Sequence, residues 1–162
     1  MVGGIDSVME SNALPDVFNL KEIDLISKNF WLIDVRDVAS VEFDIDGTHH
    51  LMTVDAGDEH SSGNLDGVEI SGDNCKQLYM RALYILVRGD TLDLTYAPAK
   101  YTVTINLKNG MSRVMQLCPA NERQYAVVMD GEPARYYTSI TDIEGLLDAI
   151  RTVKNGGDIP PL

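Results

Sequence analysis

The sequence has few of the residues that build covalent or metal-held scaffolds. Two cysteines, Cys75 and Cys118, occur in 162 residues, too few for a disulfide framework. Both lie among apolar residues, which favours buried free thiols, although one bridge in an oxidising compartment stays open as the alternative. The chain has no G-x-S-x-G or S-x-x-K pattern and no glycine-rich phosphate loop. We therefore expect a non-enzymatic protein with no catalytic, cofactor-binding or metal-binding residues.

Positive charge is scarce and unevenly placed. The chain has 13 Lys and Arg against 25 Asp and Glu, which gives a net charge of −12. No Lys or Arg occurs between Asp37 and Asp73, where carboxylates are frequent. Such a surface repels phosphate backbones, so we expect no nucleic-acid partner. The acidic segment is either a solvated face or a site for a cationic partner or Ca²⁺.

Long apolar runs are missing as well. The longest one, residues 82–87, is far shorter than the roughly 20 residues that cross a bilayer. No charged segment followed by an apolar one opens the printed sequence, so we expect no signal peptide in it. Any membrane anchor of the full-length protein is expected outside this sequence.

All three histidines lie in one short stretch, residues 43–60. His49 and His50 are neighbours in a predicted strand, so their side chains are expected on opposite faces of the sheet. His60 lies ten residues further on and could approach only one of them. A zinc site needs three or four converging ligands, and this spacing does not supply them. The stretch therefore favours a hairpin with a polar outer face over a metal site.

Alternating apolar and polar residues over 41–45 and 48–54 predict the two strands of that hairpin. Asp46 and Gly47 between them supply the positive φ that a two-residue turn requires. Together with Asp44, the turn is similar to a fragment of a calcium loop, but the fixed ligand offsets of an EF-hand are missing. The turn is therefore predicted to have a structural role.

The same periodicities predict the remaining elements. After a polar segment over 55–64, strands are expected at 68–70, 101–107, 111–117, 125–129 and 134–140. Helices are expected at about 20–29, with an Asn19 to Glu22 capping box, at 74–87, and at 142–154. Gly89 is expected to close the second helix, and a capping box from Thr141 to Glu144 is expected to open the third.

These elements predict an α+β fold, in which hairpins form antiparallel sheet and helices pack on its apolar faces. We expect an N-terminal hairpin and helix unit over 1–90, with the short leading helix, and a C-terminal unit of four strands and a helix over 91–162. Both units are expected in one compact region. In each half, the apolar residues of the first hairpin strand can be counted back from the glycine of the hairpin turn. The two counts differ by one residue. The halves are thus either a duplicated unit or a recurrence of common motifs.

The chain resembles an uncharacterised bacterial family, domain of unknown function 4340. The resemblance runs over most of the chain, through residues 12–28, 33–43, 78–86, 101–110, 125–131 and 143–153. It implies an extracytoplasmic protein that is held at the cell membrane by an N-terminal anchor absent from this sequence. It also implies an association with ABC exporter components of the gliding-motility kind. The family has no assigned catalytic residues to carry over.

Three functional hypotheses follow. The sequence favours a non-enzymatic accessory or scaffold domain with protein partners in a membrane complex, as the resemblance implies. A second hypothesis is an acidic ligand- or Ca²⁺-binding module that uses carboxylates between Asp37 and Asp73. A third is an enzyme with an unrecognised site. Only a folded structure can bring together residues that are distant in sequence.

Overall fold

A computed structural model describes residues 29–55 and 62–162 of the chain. These residues form an α+β fold, as predicted, with one antiparallel sheet of nine strands and two α-helices. Residues 20–28 of the predicted leading helix, its cap at Asn19, and His60 lie outside the described residues.

The strands follow one another along the chain with short connections. They are β1 (Val38–Ile45), β2 (Thr48–Asp55), β3 (Ser62–Leu65), β4 (Val68–Ile70), β5 (Gly89–Asp90), β6 (Tyr101–Leu107), β7 (Ser112–Pro119), β8 (Gln124–Met129) and β9 (Glu132–Ser139). The α-helices are α1 (Gly72–Leu83) and α2 (Ile140–Lys154), and a single 3-10 turn covers Val35–Asp37. Across the sheet the order is β4-β3-β2-β1-β6-β7-β8-β9-β5.

Each half contributes four consecutive antiparallel strands followed by a helix. The halves join at the centre of the sheet, where β1 pairs with β6 and Phe43 lies opposite Val103. The one-residue difference between the halves has a local cause. Asp46 and Gly47 form a two-residue turn, whereas three residues, 108–110, lie between Leu107 and Met111, whose carbonyl accepts from the Leu107 amide, and Gly110 among them has φ 91°. A common origin of the halves stays a prediction.

One face of the sheet is buried beneath the helices. Because side chains alternate along a strand, Val41 and Phe43 of β1 share this face with Val103 and Ile105 of β6. All four are buried in one core with residues of both helices, among them Leu78, Ile143 and Leu146. The opposite face, which we call the open face, has mostly polar side chains on β1, β2, β6 and β7. Its residues include Ser40, Glu42, Asp44, His49, Leu51, Thr53, Thr102, Thr104, Asn106, Ser112 and Gln116.

The predicted end of the second helix was wrong. The helix begins where Ser71 accepts a hydrogen bond from the Asn74 amide, but it ends at Leu83 rather than near residue 87. Beyond it the Leu86 amide donates to Asp142, and the Arg88 amide donates to the Tyr137 carbonyl. These tertiary hydrogen bonds replace helical ones, and Gly89 lies in strand β5 instead of capping the helix.

The third helix starts earlier than predicted. Ser139, not Thr141, is its N-cap, and its hydroxyl accepts a hydrogen bond from the Thr141 amide. The capping-box prediction over 141–144 was therefore wrong by two residues. The polar segment predicted over 55–64 was also too long, because β3 begins at Ser62.

The two cysteines are free and buried. Cys75 of α1 lies 4.0 Å from the sulfur of Met52, on the helix side of the sheet. Cys118 follows the helix-facing Leu117 in β7, so its side chain projects to the other side. Burial raises the pKa of the Cys75 thiol to about 11. The prediction of buried free thiols is confirmed, and the alternative of a bridge between them is excluded.

Candidate functional site

A polar network occupies the centre of the open face. Its members come from β1, β2, β6 and β7, and we call it the open-face network: Ser40, Glu42, Asp44, His49, Asn106 and Ser112. Asn106 Nδ2 donates to Glu42 Oε2 at 2.7 Å and to Ser40 Oγ at 3.0 Å. Ser112 Oγ donates to Asn106 Oδ1 at 2.7 Å. The network spans the β1–β6 junction, so both halves of the chain build it.

His49 is the imidazole member of this network and lies beside two carboxylates. Its Nδ1 lies 2.8 Å from Asp44 Oδ1, and its Nε2 lies 3.5 Å from Glu42 Oε1. The hydrogen bond to Asp44 raises the pKa of His49, although partial desolvation opposes the rise. About half of the His49 side chain is exposed, at 51%. The imidazole is therefore held in place by carboxylates and remains open to a partner.

We expect Asp44→Asn to lower the pKa of His49 towards its ordinary value. Because the folded pKa is raised, the stabilising contact is present below the unfolded pKa of about 6.5 and is lost as the pH rises through the folded pKa. NMR titration of the His49 ring protons measures the change, and Asp148→Asn on α2 serves as the distant control. An unchanged His49 titration in Asp44→Asn would show that the carboxylate does not hold the ring.

His50 lies on the other face of the sheet from His49, as the alternation of a strand predicts. Its Nδ1 lies 2.7 Å from Asp66 Oδ2, and Lys154 Nζ at the end of α2 reaches the same oxygen at 2.8 Å. The Leu51 amide donates to Asp66 Oδ1 at 2.8 Å. We call His50, Asp66 and Lys154 the helix-end cluster. It connects β2, the β3–β4 turn and α2.

Asp66 is strongly acidic in the folded protein. Burial favours its neutral form, but the hydrogen bonds from Lys154, His50 and the Leu51 amide outweigh burial and lower its pKa to about 2. The side chain is only 22% exposed. The folded chain therefore keeps this carboxylate ionised well below neutral pH.

Asp66→Asn is expected to lower the free energy of unfolding by about 1–3 kcal/mol at pH 7, because it replaces one of the two acceptor oxygens with an N–H donor and removes the negative charge beside Lys154 and His50. A depressed carboxyl pKa gives stability that is present above about pH 4 and is lost as the pH falls through about 2. The variant and the parent should thus converge in stability in strong acid. Urea unfolding at pH 7, 4 and 2.5 measures this, and an equal difference at all three values would contradict it.

Within the described ranges, 29–55 and 62–162, no group of three His, Cys, Asp or Glu side chains is placed to hold a metal ion. The helices of these ranges are too short or too polar to cross a bilayer. The carboxylates of Glu42 and Asp44 both contact the His49 ring, and Glu42 also accepts from Asn106.

Sequence reasoning identified the opposite orientations of the two histidines but missed their partners. The most important partner that the sequence did not reveal is Asp66, which contacts His50. Asp66 and Gly67 have positive φ, 53° and 84°, like Asp46 and Gly47 at 49° and 83°. The second Asp-Gly pair could have predicted the β3–β4 turn. Lys154 and Asn106 are distant in sequence from their partners, and no local pattern marks them.

Comparisons with protein-family models, with curated proteins and with solved structures gave no match.

Proposed function

We propose that the chain is a non-enzymatic accessory or scaffold domain of an extracytoplasmic membrane complex, of the ABC-exporter kind, and that it contacts its protein partner through the open face. The observation that carries the proposal is a wide, mostly polar sheet face that both halves build and that neither α-helix of the described residues, 29–55 and 62–162, covers. The sequence resemblance supports the membrane complex and the compartment.

The chemistry of the open face supports a basic partner surface. Glu42, Asp44 and Glu69 lie on this face. In the described strands β1 to β4, β6 and β7, none of its positions is Lys or Arg. Complementary charges speed encounter and disfavour wrong partners. Leu51, which is 39% exposed, adds an apolar contact amid the polar side chains.

Photo-crosslinking from single positions tests the proposal. A photoreactive residue is placed at Leu51 or Thr53 on the open face, and at Glu144 or Asp148 on α2 as the control, in the full-length protein in its own cells. We expect both open-face positions to crosslink one and the same membrane-complex protein. No reproducible crosslink from the open face, or crosslinks only from α2, would contradict the proposal.

The compartment has its own test. Protease added to spheroplasts is expected to digest the full-length protein while the cytoplasmic membrane is intact. Protection until the membrane is lysed would place the domain in the cytoplasm and contradict an extracytoplasmic role.

A further inference from the structure

A cleft lies between α2 and the β1–β2 hairpin, away from the open face. Its volume is about 220 Å³. The apolar side chains of Ile45, Leu147 and Ile150 line it together with Asp46, His50, Arg151 and Lys154. Apolar walls with a few polar groups are typical of small-molecule sites. The cleft takes no part in the contact proposed above.

The Arg151 and Lys154 side chains have more N–H groups than their hydrogen bonds to Asp148 and Asp66 use. Arg151 Nη1 donates to Asp148 Oδ1 at 2.5 Å, which leaves the other N–H groups of its guanidinium. Lys154 uses Asp66 as an acceptor, and an ammonium has three N–H groups. Because Asp66 is ionised, it accepts from Nδ1 of His50, so His50 adds no further donor for an anion in its neutral form.

Each cation of the cleft already pairs with one carboxylate, so a ligand anion uses the N–H groups that these pairs leave over. Asp66 has Lys154 and His50, Asp148 has Arg151, and Asp46 lies 3.8 Å from Lys100 Nζ. Among the lining residues, Arg151 and Lys154 offer an anion N–H donors, Ile45, Leu147 and Ile150 offer hydrocarbon, and Asp46 is the carboxylate. A ligand cation would meet the charges of Arg151 and Lys154.

We propose that this cleft binds a short aliphatic carboxylate, with its chain on Ile45, Leu147 and Ile150 and its carboxylate on Arg151 and Lys154. The volume is below the roughly 300–1,000 Å³ of sites for drug-sized ligands, so a chain of about six carbons suits it. Charge-assisted N–H···O bonds fix the head group, and burial of the chain adds a small apolar contribution. The site binds weakly, because it is small and partly open.

Hexanoate is the probe for this proposal. Methyl NMR spectra of the intact chain are recorded during titration with hexanoate, hexan-1-ol and hexylamine, which share the alkyl chain. We expect hexanoate to shift the Ile45, Leu147 and Ile150 methyl signals in a saturable way, and to bind more tightly than the other two compounds. Equal binding of hexylamine, or the absence of saturable shifts, would overturn the proposal.

Two variants separate recognition from folding. Arg151→Gln is expected to weaken hexanoate binding about threefold to tenfold and to leave hexan-1-ol binding unchanged, since it removes a charged donor and the cation that pairs with Asp148. Arg123→Gln, at the β7–β8 turn, is the matched control and should bind hexanoate like the parent. Equal hexanoate affinity in Arg151→Gln and the parent would also overturn the proposal.

Discussion

Phe43→Ala is expected to lower the free energy of unfolding by about 3–5 kcal/mol, the usual range for truncating a buried aromatic residue. Phe43 is fully buried in β1, opposite His50 on one side and Val103 on the other. It therefore packs at the junction of the two halves, beneath the helices. Truncation removes apolar contact and leaves a cavity that the paired strands cannot close.

Urea unfolding followed by circular dichroism measures this loss. Leu92→Ala is the control, because Leu92 is 86% exposed and its truncation should change stability by less than about 0.5 kcal/mol. A loss below about 1 kcal/mol in Phe43→Ala would contradict the position of this side chain at the centre of the core.

Gly63→Ala is expected to destabilise the chain by about 1–3 kcal/mol or more, because the site has no room for a methyl group. A Cβ atom there would lie 2.5 Å from the Thr53 carbonyl oxygen and 2.9 Å from Cys75 Sγ. The carbonyl belongs to the neighbouring strand and cannot move without disturbing the β2–β3 pairing. The close approach of α1 to β3 thus depends on this glycine.

Gly145→Ala is the matched comparison, and it is expected to raise the free energy of unfolding instead of lowering it. Gly145 lies within α2, and the nearest atom to an added Cβ is Arg81 Nη1 at 3.8 Å, an ordinary contact. Alanine should stabilise the helix by about 0.5–1 kcal/mol. Thermal unfolding of the two variants side by side measures the expected loss of stability in Gly63→Ala and the expected gain in Gly145→Ala. Equal effects at the two positions would contradict the packing described for α1 and β3.

The hairpins could be predicted from the sequence because their determinants are local. The strand 101–107 and the turn at Asp46 and Gly47 follow from alternation and from turn residues alone. The end of α1 could not be predicted, because Leu86 continues the apolar spacing of the helix. Tertiary hydrogen bonds keep the chain out of the helix there, from the Leu86 amide to Asp142 and from the Arg88 amide to the Tyr137 carbonyl.

The polar groups were predictable only in part. The opposite orientations of His49 and His50 follow from strand geometry, which requires no tertiary information. Their partners come from other elements, as Lys154 does, 88 residues from Asp66. Asn106 reaches Glu42 only because β1 pairs with β6. The open-face network therefore requires the pairing of β1 with β6, and the sequence pattern does not predict that pairing.

Binding of the purified chain to membranes from its own cells tests the central claim most directly. Glu42→Lys with Asp44→Lys reverses charge on the open face, and Glu122→Lys with Glu144→Lys makes the same change in charge elsewhere on the surface. With the fold of each variant verified by circular dichroism, we expect the open-face variant to lose membrane binding and the control variant to keep it. Equal binding by both variants would contradict the assignment of the open face as the partner surface.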